Sequence, residues 1–473
     1  MRAILALDQG SHASRACLVD EQGVLRAQHS VAVATQRHPN GHIEQDPLEL
    51  QHSLVQAIAA LCQAHPQTQW VAAGLATQRS TLLCCERASL EPLTPALSWQ
   101  DRRHGEWLAQ FEPQQRRIRA ITGLPLSPHY GVAKLRWCLD RDARVRQAAD
   151  AERLLATPLS AWLQARLTSA APRVDPANAA RTLLYDSATL DWSEELLDRF
   201  GIRRSWLPAC GTTVAAFGTL PLPGASVPLR AVSGDQSVVP FGFGPVDTGT
   251  LYINLGTGAF LQRAATQRPT HPEPLLGSVL YADAKERRYS IEGTVNGAGS
   301  ALANFCSDTG AQEALLWPLF ERLDPSATVP LFINGVGGLG SPFWRSQLDG
   351  GFLGAGSQAE RFAAVVESIL FLIAINARLL ARHGALERII VAGGLSRSAG
   401  LCRRLAALLQ LPVLRGELEA SARGVAALAA PELARHWPAP GFERFDPQSL
   451  PALQARSARF EAELQLRLAP RST

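Results

Sequence analysis

Two stretches of this chain share one chemical pattern: Ile4-Leu5-Ala6-Leu7-Asp8-Gln9-Gly10-Ser11, and Leu251-Tyr252-Ile253-Asn254-Leu255-Gly256-Thr257-Gly258 some 250 residues later. Each reads as an apolar strand, a polar residue, one skipped position, then glycine and a hydroxyl residue. Strand-like sequence follows both, at Ala16-Cys17-Leu18-Val19 and Phe260-Leu261. A glycine turn lets backbone N–H groups approach an anion with no Cβ in the way, and a neighbouring hydroxyl adds a hydrogen bond. Two such hairpins, each opening one half of the chain, predict a duplicated nucleotide-binding fold with phosphates held between the halves. Only the first copy carries a carboxylate, Asp8. That asymmetry predicts Mg²⁺ on one side of the phosphate chain, because hard cations prefer carboxylate and water oxygens.

These residues need elements to hold them, and helix-like and strand-like patterns alternate along the chain, predicting α/β layers. Asp46-Pro47 suits the start of a helix running through Leu50, Leu54 and Ile58 to Leu61, with Asp46 as cap and Pro47 in the first turn. Trp70 to Ala76 reads as a buried strand that delivers Thr77-Gln78-Arg79-Ser80 at its C-terminal end, where ligands collect in open α/β sheets. Leu229 to Val232 similarly ends in Ser233-Gly234-Asp235-Gln236. The Pro-rich segments Glu91 to Pro95 and Leu220 to Pro228 read as loops. Helical spacing of Phe362, Val365, Val366, Ile369, Leu370 and Ile373 predicts a long helix from about Gln358 to His383, followed by a strand at Arg388 to Ala392 and the turn Gly393-Gly394. Small residues at Gly242-Phe243-Gly244-Pro245 suggest a hinge, which divides the chain into domains 1–245 and 246–473.

At 473 residues the chain exceeds one ordinary core. Its 46% hydrophobic and 19% charged content describes a globular protein. A net charge of +4, with Lys and Arg scattered, argues against a nucleic-acid partner. The eight cysteines form no Cys-x-x-Cys pair, so free thiols in a reducing cytoplasm are expected. No basic segment followed by an apolar run and a cleavage site opens the sequence. The apolar run Ile369 to Ile375 stops at Asn376 and Arg378, short of the roughly 20 residues that span a bilayer, so no membrane partner is expected.

Taken in order, the motifs resemble those of the FGGY family of carbohydrate kinases, nearer its glycerol-kinase branch than its xylulokinases. They are Leu7-Asp8-Gln9-Gly10 with Ser14-Arg15, His42-Ile43-Glu44-Gln45-Asp46-Pro47, Thr77-Gln78-Arg79, Ser98-Trp99-Gln100-Asp101-Arg102-Arg103, Thr122-Gly123-Leu124, Lys134-Leu135-Arg136-Trp137, Asn178 to Thr182, Leu190-Asp191-Trp192 and Gly234-Asp235-Gln236. The second half adds Gly256-Thr257-Gly258, Gly338 to Trp344 and Gly393 to Ser398. Singly these are weak, and their order and spacing carry the resemblance over nearly the whole chain. It implies two actin-like/RNase H-like ATPase domains around a central cleft, ATP and Mg²⁺ in that cleft, and transfer of the γ-phosphoryl group to a hydroxyl of a small-molecule sugar or polyol. A homodimer is left open beside the monomer.

Residue by residue, the resemblance implies Asp235 as the base that takes the acceptor proton, although Gly-Asp after a strand is by itself an ordinary turn. Asp8 would hold Mg²⁺ through water, with Asp235 facing the same ion. Gly10, Ser11, His12, Arg15, Gly256 and Thr257 would surround the phosphates, while Gly299, Gly393, Gly394 and Ser398 would lie near the nucleoside. Arg79, Trp99, Asp235, Gln236 and Phe260 stand where the glycerol-kinase branch keeps its acceptor contacts. Two departures matter there: the family's Glu is Ser80 and its Tyr is His129. A site built around such hydrogen bonds discriminates through them, so losing both predicts an altered acceptor preference and room for a larger polyol or ketose. On the nucleotide side the family's Thr is His12, its Gln is Ala303 and its Asn is Ser398, predicting weak base selectivity.

Other patterns point elsewhere and fail on context. Gly335-Val336-Gly337-Gly338-Leu339-Gly340 has dinucleotide-site spacing, but Ser341-Pro342-Phe343-Trp344 follows in place of an amphipathic helix. Adjacent Cys84 and Cys85 read as core thiols, and Trp107, Trp137, Trp162 and Trp192 as packing residues. The His residues show no zinc-type pairing. Two other classes remain beside the kinase: a catalytically weakened regulatory relative that binds nucleotide or sugar, and an actin- or heat-shock-type ATPase. Retention of both Asp8 and Asp235 speaks against the first, and the Trp99 and Asp235 segments are unexplained by the second.

Overall fold

The structure is a computed structural model that describes residues 1–270, 272–416 and 419–469. Its first sheet grows around β1 (Arg2–Gln9), buried from Ala3 onward because both faces are covered. β1 pairs antiparallel with β2 (Ala13–Asp20), and β2 pairs antiparallel with β3 (Leu25–Ala32). On its other side β1 runs parallel to β4 (Gln69–Thr77). Beyond β4 the sheet is completed by the hairpin of β5 (Thr219–Leu222) and β6 (Ala225–Gly234), with β6 parallel to β4. The segment Leu220 to Pro228, expected as a loop, is therefore mostly strand. Its prolines are tolerated because β5 is the sheet edge and Pro228 pairs only with β5, outside the β4 ladder.

The second sheet repeats the arrangement. β7 (Thr250–Leu255) pairs antiparallel with β8 (Ala259–Ala265), and β9 (Leu276–Ala282) and β10 (Arg287–Val295) extend that side. On the other side β7 runs parallel to β11 (Arg388–Ala392), then come β12 (Val413–Arg415) and β13 (Glu443–Phe445). β1 and β7 are thus equivalent central strands, each followed by a glycine turn and an antiparallel return strand. This is the duplication the sequence predicts.

Helices cover the sheets where their apolar faces dictate. α1 (Pro47–Ala64) starts where expected, with the Asp46 carboxylate accepting from the Leu48 N–H, and buries Leu50, Leu54, Ile58 and Leu61. α2 (Gly131–Arg141) packs over the acceptor side of the first half, and α3 (Gly299–Thr309) opens beside the second glycine turn. α4 (Gln358–Ala381) is capped by Ser357 and Glu360 in a reciprocal box. By length and composition α4 could cross a membrane, yet 83% of its most apolar window is buried inside the protein, as a core helix requires. The helix ends close to the expected His383 and passes through Asn376, whose amide donates to Ser341 O at 2.8 Å and Leu372 O at 2.9 Å. α5 (Ala399–Leu409) follows the Gly393 turn after a short 3₁₀ segment.

The last of these helices, α6 (Ala420–Ala429), returns to the first sheet and lies on β1, β4 and β6. Ala422, Val425, Ala426 and Ala429 join one buried cluster with Ile4, Ala6, Ala72, Ala76 and Ala231. So the packing does not follow the division expected near residue 245. The approach is close enough to demand glycine on both sides: a Cβ on Gly74 would stand 2.7 Å from Val425 O, and one on Gly424 would collide with the Val238 carbonyl. A Gly424→Ala substitution should destabilise the protein by about 1–3 kcal/mol through overpacking, read as a lower denaturation midpoint. An unchanged midpoint would show that α6 is not seated against the Asp235–Val238 turn that follows β6.

Candidate active site

The C-terminal ends of the central strands bring two carboxylates together. Asp8, on β1 opposite Arg15 of β2, is 8% exposed. Its Oδ2 accepts from the Ser421 hydroxyl at 2.9 Å and lies 3.6 Å from the Arg15 guanidinium, which also pairs with Glu419 at 3.1 Å. Burial raises the Asp8 carboxyl above its ordinary value, while Arg15 pulls it down. Asp235 follows β6 directly and begins a short helical turn, with its Oδ1 accepting from the Gln236 N–H at 2.7 Å. Burial pushes Asp235 up to about 6, opposed by Arg79 and assisted by the negative charge of Asp8. Two carboxylates sensing each other at strand ends suit a hard cation that keeps most of its water and takes phosphate oxygens as further ligands. Among the described residues no group of three or more metal-ligating side chains forms a complete cage.

The predicted acceptor residues converge on the same end of the first sheet. Arg79 leaves the end of β4 and is 8% exposed; its guanidinium carbon lies 4.9 Å from the Phe260 ring centroid. Trp99 is half-open and donates through Nε1 to the Ser11 hydroxyl at 2.7 Å, linking the acceptor wall to the first glycine turn. Its indole meets the His129 ring edge-on at 5.8 Å. His129 is held well below its ordinary pKa, first by burial and then by Lys134, Arg181, Arg102 and Arg79, so it presents a neutral imidazole. Ser80 adopts φ +65°, and its carbonyl accepts from Lys134 Nζ at 2.7 Å. Gln236 is fixed from the second half: its Oε1 accepts from Asn254 at 3.1 Å and its carbonyl from Gln262 at 2.7 Å.

On the nucleotide side, the second glycine turn docks against the start of α3. Gly299 N donates to Gly256 O at 2.9 Å, and Ser300 N and its hydroxyl donate to Thr257 O at 3.0 and 3.1 Å. Gly256 and Thr257 are left exposed at the tip. Gly393 has φ +89°, and a Cβ there would stand 2.6 Å from Leu255 O, so only glycine lets this turn close on β7. A Cβ on Gly394 would meet nothing within 4 Å, so this side of the turn is open. Gly10 N closes its own turn by donating to Ala13 O at 3.0 Å. His12 is exposed beside it, with its carbonyl accepting from Val33 N at 3.0 Å. Ser398 caps α5, and its hydroxyl donates to Glu321 at 2.5 Å, so that side chain already has a protein partner.

Sequence reasoning missed the group that organises this site. Glu292, on β10 of the second sheet, is fully buried and accepts from Arg79 at 3.2 and 3.5 Å, from Arg181, and from the Ser290 hydroxyl at 2.7 Å. Its signal was present as a lone acid between Ile291 and Gly293 in an apolar strand. Ser421, which donates to Asp8, was missed as well, because nothing in sequence ties position 421 to position 8. Burial works against the charge of Glu292, but Arg181 and Arg79 outweigh it and hold the carboxyl down at about 2. The stability it lends is complete above the ordinary Glu value of 4.5 and is lost as pH falls toward about 2. Glu292→Gln, which strands two buried guanidinium groups, should cost about 3–5 kcal/mol at pH 7 and flatten the loss between pH 4.5 and pH 2. Urea unfolding across that range checks it, and a variant as acid-sensitive as the wild type would contradict it.

Comparison with known proteins agrees with this geometry. Residues 3–242 match the N-terminal domain of the FGGY family of carbohydrate kinases, and residues 251–432 match its C-terminal domain. A glycerol kinase of Methylibium petroleiphilum is 33% identical over 99% of this chain and 100% of its own length. A glycerol kinase of Thermus brockianus is 33% identical over 90% of this chain and 89% of its own. Among solved structures, the glycerol kinase of Plasmodium falciparum with ADP superposes with a TM-score of 0.90 at 20% identity, covering 99% of both chains. A xylulose-kinase structure from Brucella ovis gives 0.87 at 25% identity over 98% of each. The fold is the two-domain actin-like/RNase H-like kinase architecture. With both domain models and full-length relatives matched, this chain belongs to the FGGY family of carbohydrate kinases.

Proposed function

We propose that this protein transfers the γ-phosphoryl group of ATP, with Mg²⁺, to a hydroxyl of a small carbohydrate or polyol, and that Asp235 is the base. The observation that carries the reading is the placement of Asp235. It follows β6 directly, within electrostatic reach of Arg79 and Asp8, and burial pushes it up to about 6. A base of that strength is ionised at neutral pH yet ready to accept a proton. Domains 1–245 and 246–473 belong to the proposal, with α6 of the second contributing to the first.

In this scheme Arg79, with Gln236, orients the acceptor, and Trp99 and Phe260 form apolar walls that exclude water. Asp235 takes the hydroxyl proton as the acceptor oxygen bonds to the γ-phosphorus and the bond to the β-phosphate oxygen breaks, releasing ADP. Gly10, Ser11, His12 and Thr257 would bind phosphate oxygens, and Arg15 would offer a delocalised cation to the transferred group. Gly299, Gly393, Gly394 and the Ser398 turn would line the nucleoside. Bound Mg²⁺, held by Asp8 and facing Asp235, would supply charge neutralisation on the phosphates. The cytoplasm, where the free cysteines stay reduced, is the proposed location.

The acceptor is proposed to be a polyol or ketose larger than glycerol, since Ser80 and His129 present a short hydroxyl and a neutral ring where relatives of the glycerol-kinase branch carry a carboxylate and a phenol. Initial rates with glycerol and with four- to seven-carbon polyols and ketoses test it, and a clear preference for glycerol defeats it. Transfer should fall as pH drops below about 6, following protonation of Asp235. Asp235→Asn should reduce it by a factor of about 10² or more with acceptor binding retained. Equal loss of binding would make Asp235 structural. Turnover of ATP independent of any sugar would favour an actin-type ATPase, and no turnover a regulatory binder. With Ala303 and Ser398 unable to reproduce the expected amide contacts, ATP and GTP should differ little as donors. A strong measured preference for ATP counts against that assignment.

A further inference from the structure

Lys134 has no place in the scheme above, and its setting is unusual. It sits on α2 and is wholly buried at 0% exposure. Its Nζ donates to two backbone carbonyls, Ser80 O at 2.7 Å and His129 O at 2.9 Å. Among the described residues no carboxylate lies within ion-pair distance of it. Burying an ammonium against carbonyls alone is costly, and an apolar side chain would fill the same space without that cost. What the lysine adds is the identity of the two carbonyls. They belong to the two positions at which the acceptor pocket departs from its relatives.

Ser80 stands at φ +65°, a left-handed conformation that a non-glycine residue keeps only when its surroundings hold it. Lys134 is one of those holds. The next residue, Thr81, accepts from the Trp99 N–H at 3.1 Å, Trp99 meets the His129 ring edge-on at 5.8 Å, and the His129 carbonyl returns to Lys134. The loop of contacts is closed, and Trp99 carries it on to Ser11 in the first glycine turn.

We propose that Lys134 is a positioning residue for the acceptor, pinning the Ser80 and His129 backbones so that Ser80, His129 and Trp99 form one wall of the pocket. This rests on the kinase reading for its purpose, while the pinning itself can be measured without it. The groups facing the amine are Asp101, which favours its charge, and Arg103, which opposes it; burial dominates and draws the amine down to about 7. His129, the other titratable neighbour, stays neutral through that range.

The test is hydrogen exchange on the full chain, wild type against Lys134→Met, with no ligand added. Residues 78–82 and 127–131 should exchange at least about tenfold faster in the variant, while residues 250–265 of the second sheet keep the wild-type rate. Unchanged exchange in the two segments overturns the proposal, as does uniform acceleration everywhere, which would make Lys134 a general stability residue. Should the variant not fold, the wild type between pH 6 and pH 8.5 gives the same readout. Loss of the ammonium charge weakens its bonds and should loosen those two segments beyond the intrinsic pH effect, and no such loosening overturns the idea. In steady state with glycerol, erythritol and D-xylulose as acceptors, Lys134→Met should raise the acceptor KM about tenfold or more and leave the ATP KM within about twofold. Equal shifts in both constants would contradict positioning. A wild type that phosphorylates none of these or larger acceptors defeats the kinase reading, and the exchange result then decides the role of Lys134 alone.

Discussion

A single carboxylate in the second sheet, Glu292, holds the buried Arg79 guanidinium of the first half. Glu292 reaches across from β10, and Arg79 and Arg181 both bind to it. Arg79 is also flanked by Phe260 of β8, so its surroundings are completed by residues of the second sheet. Burial and then Lys134 do most to keep His129 neutral, and both guanidinium groups add to that, while Arg79 opposes the burial-driven rise of Asp235. Buried charges of this kind contribute little stability beyond what an apolar cluster would give, because desolvation consumes most of the attraction. Their value lies in direction. They fix where a planar fork of N–H donors points, and the chemistry of an alcohol acceptor depends on that orientation.

The same logic of sharing governs the chain's architecture. Duplication alone would give two separate sheets, each with its own glycine turn. Here α6, a segment of the second half, is buried on β1, β4 and β6, and the Ser421 hydroxyl at its start reaches Asp8. Glycines at 74 and 424 permit that approach. The first glycine turn therefore carries a carboxylate whose environment is set from more than 400 residues away along the chain, as the Ser421 contact shows. The second turn is supported differently, by the start of α3 and by Gly393 closing on β7. The two turns are thus equivalent in sequence pattern but unequal in what supports them.

The outline was legible in the sequence because it depends on local rules. Asp46-Pro47 starts α1 through a cap and a favourable first turn, the apolar run at 388–392 becomes β11, and the repeated glycine hairpins become β1–β2 and β7–β8. The candidate residues Asp8, Arg79, Trp99 and Asp235 could be singled out because each ends or follows a strand in an ordered series of motifs. Where sequence reasoning went astray, context had overridden propensity. Prolines at 221 and 228 suggested a loop, yet an edge position lets them sit in a ladder.

Residue types and their spacing by themselves determined the α/β class and the duplication, and singled out candidate side chains, since strand period, caps and glycine turns act over a few residues. Only the tertiary structure decided which charges are paired: that Glu292 serves Arg79 and Arg181, that Ser421 touches Asp8, and that Lys134 ends on two carbonyls. Those contacts join residues that no local rule relates, and their energies come from burial and distance, which exist only once the chain has folded.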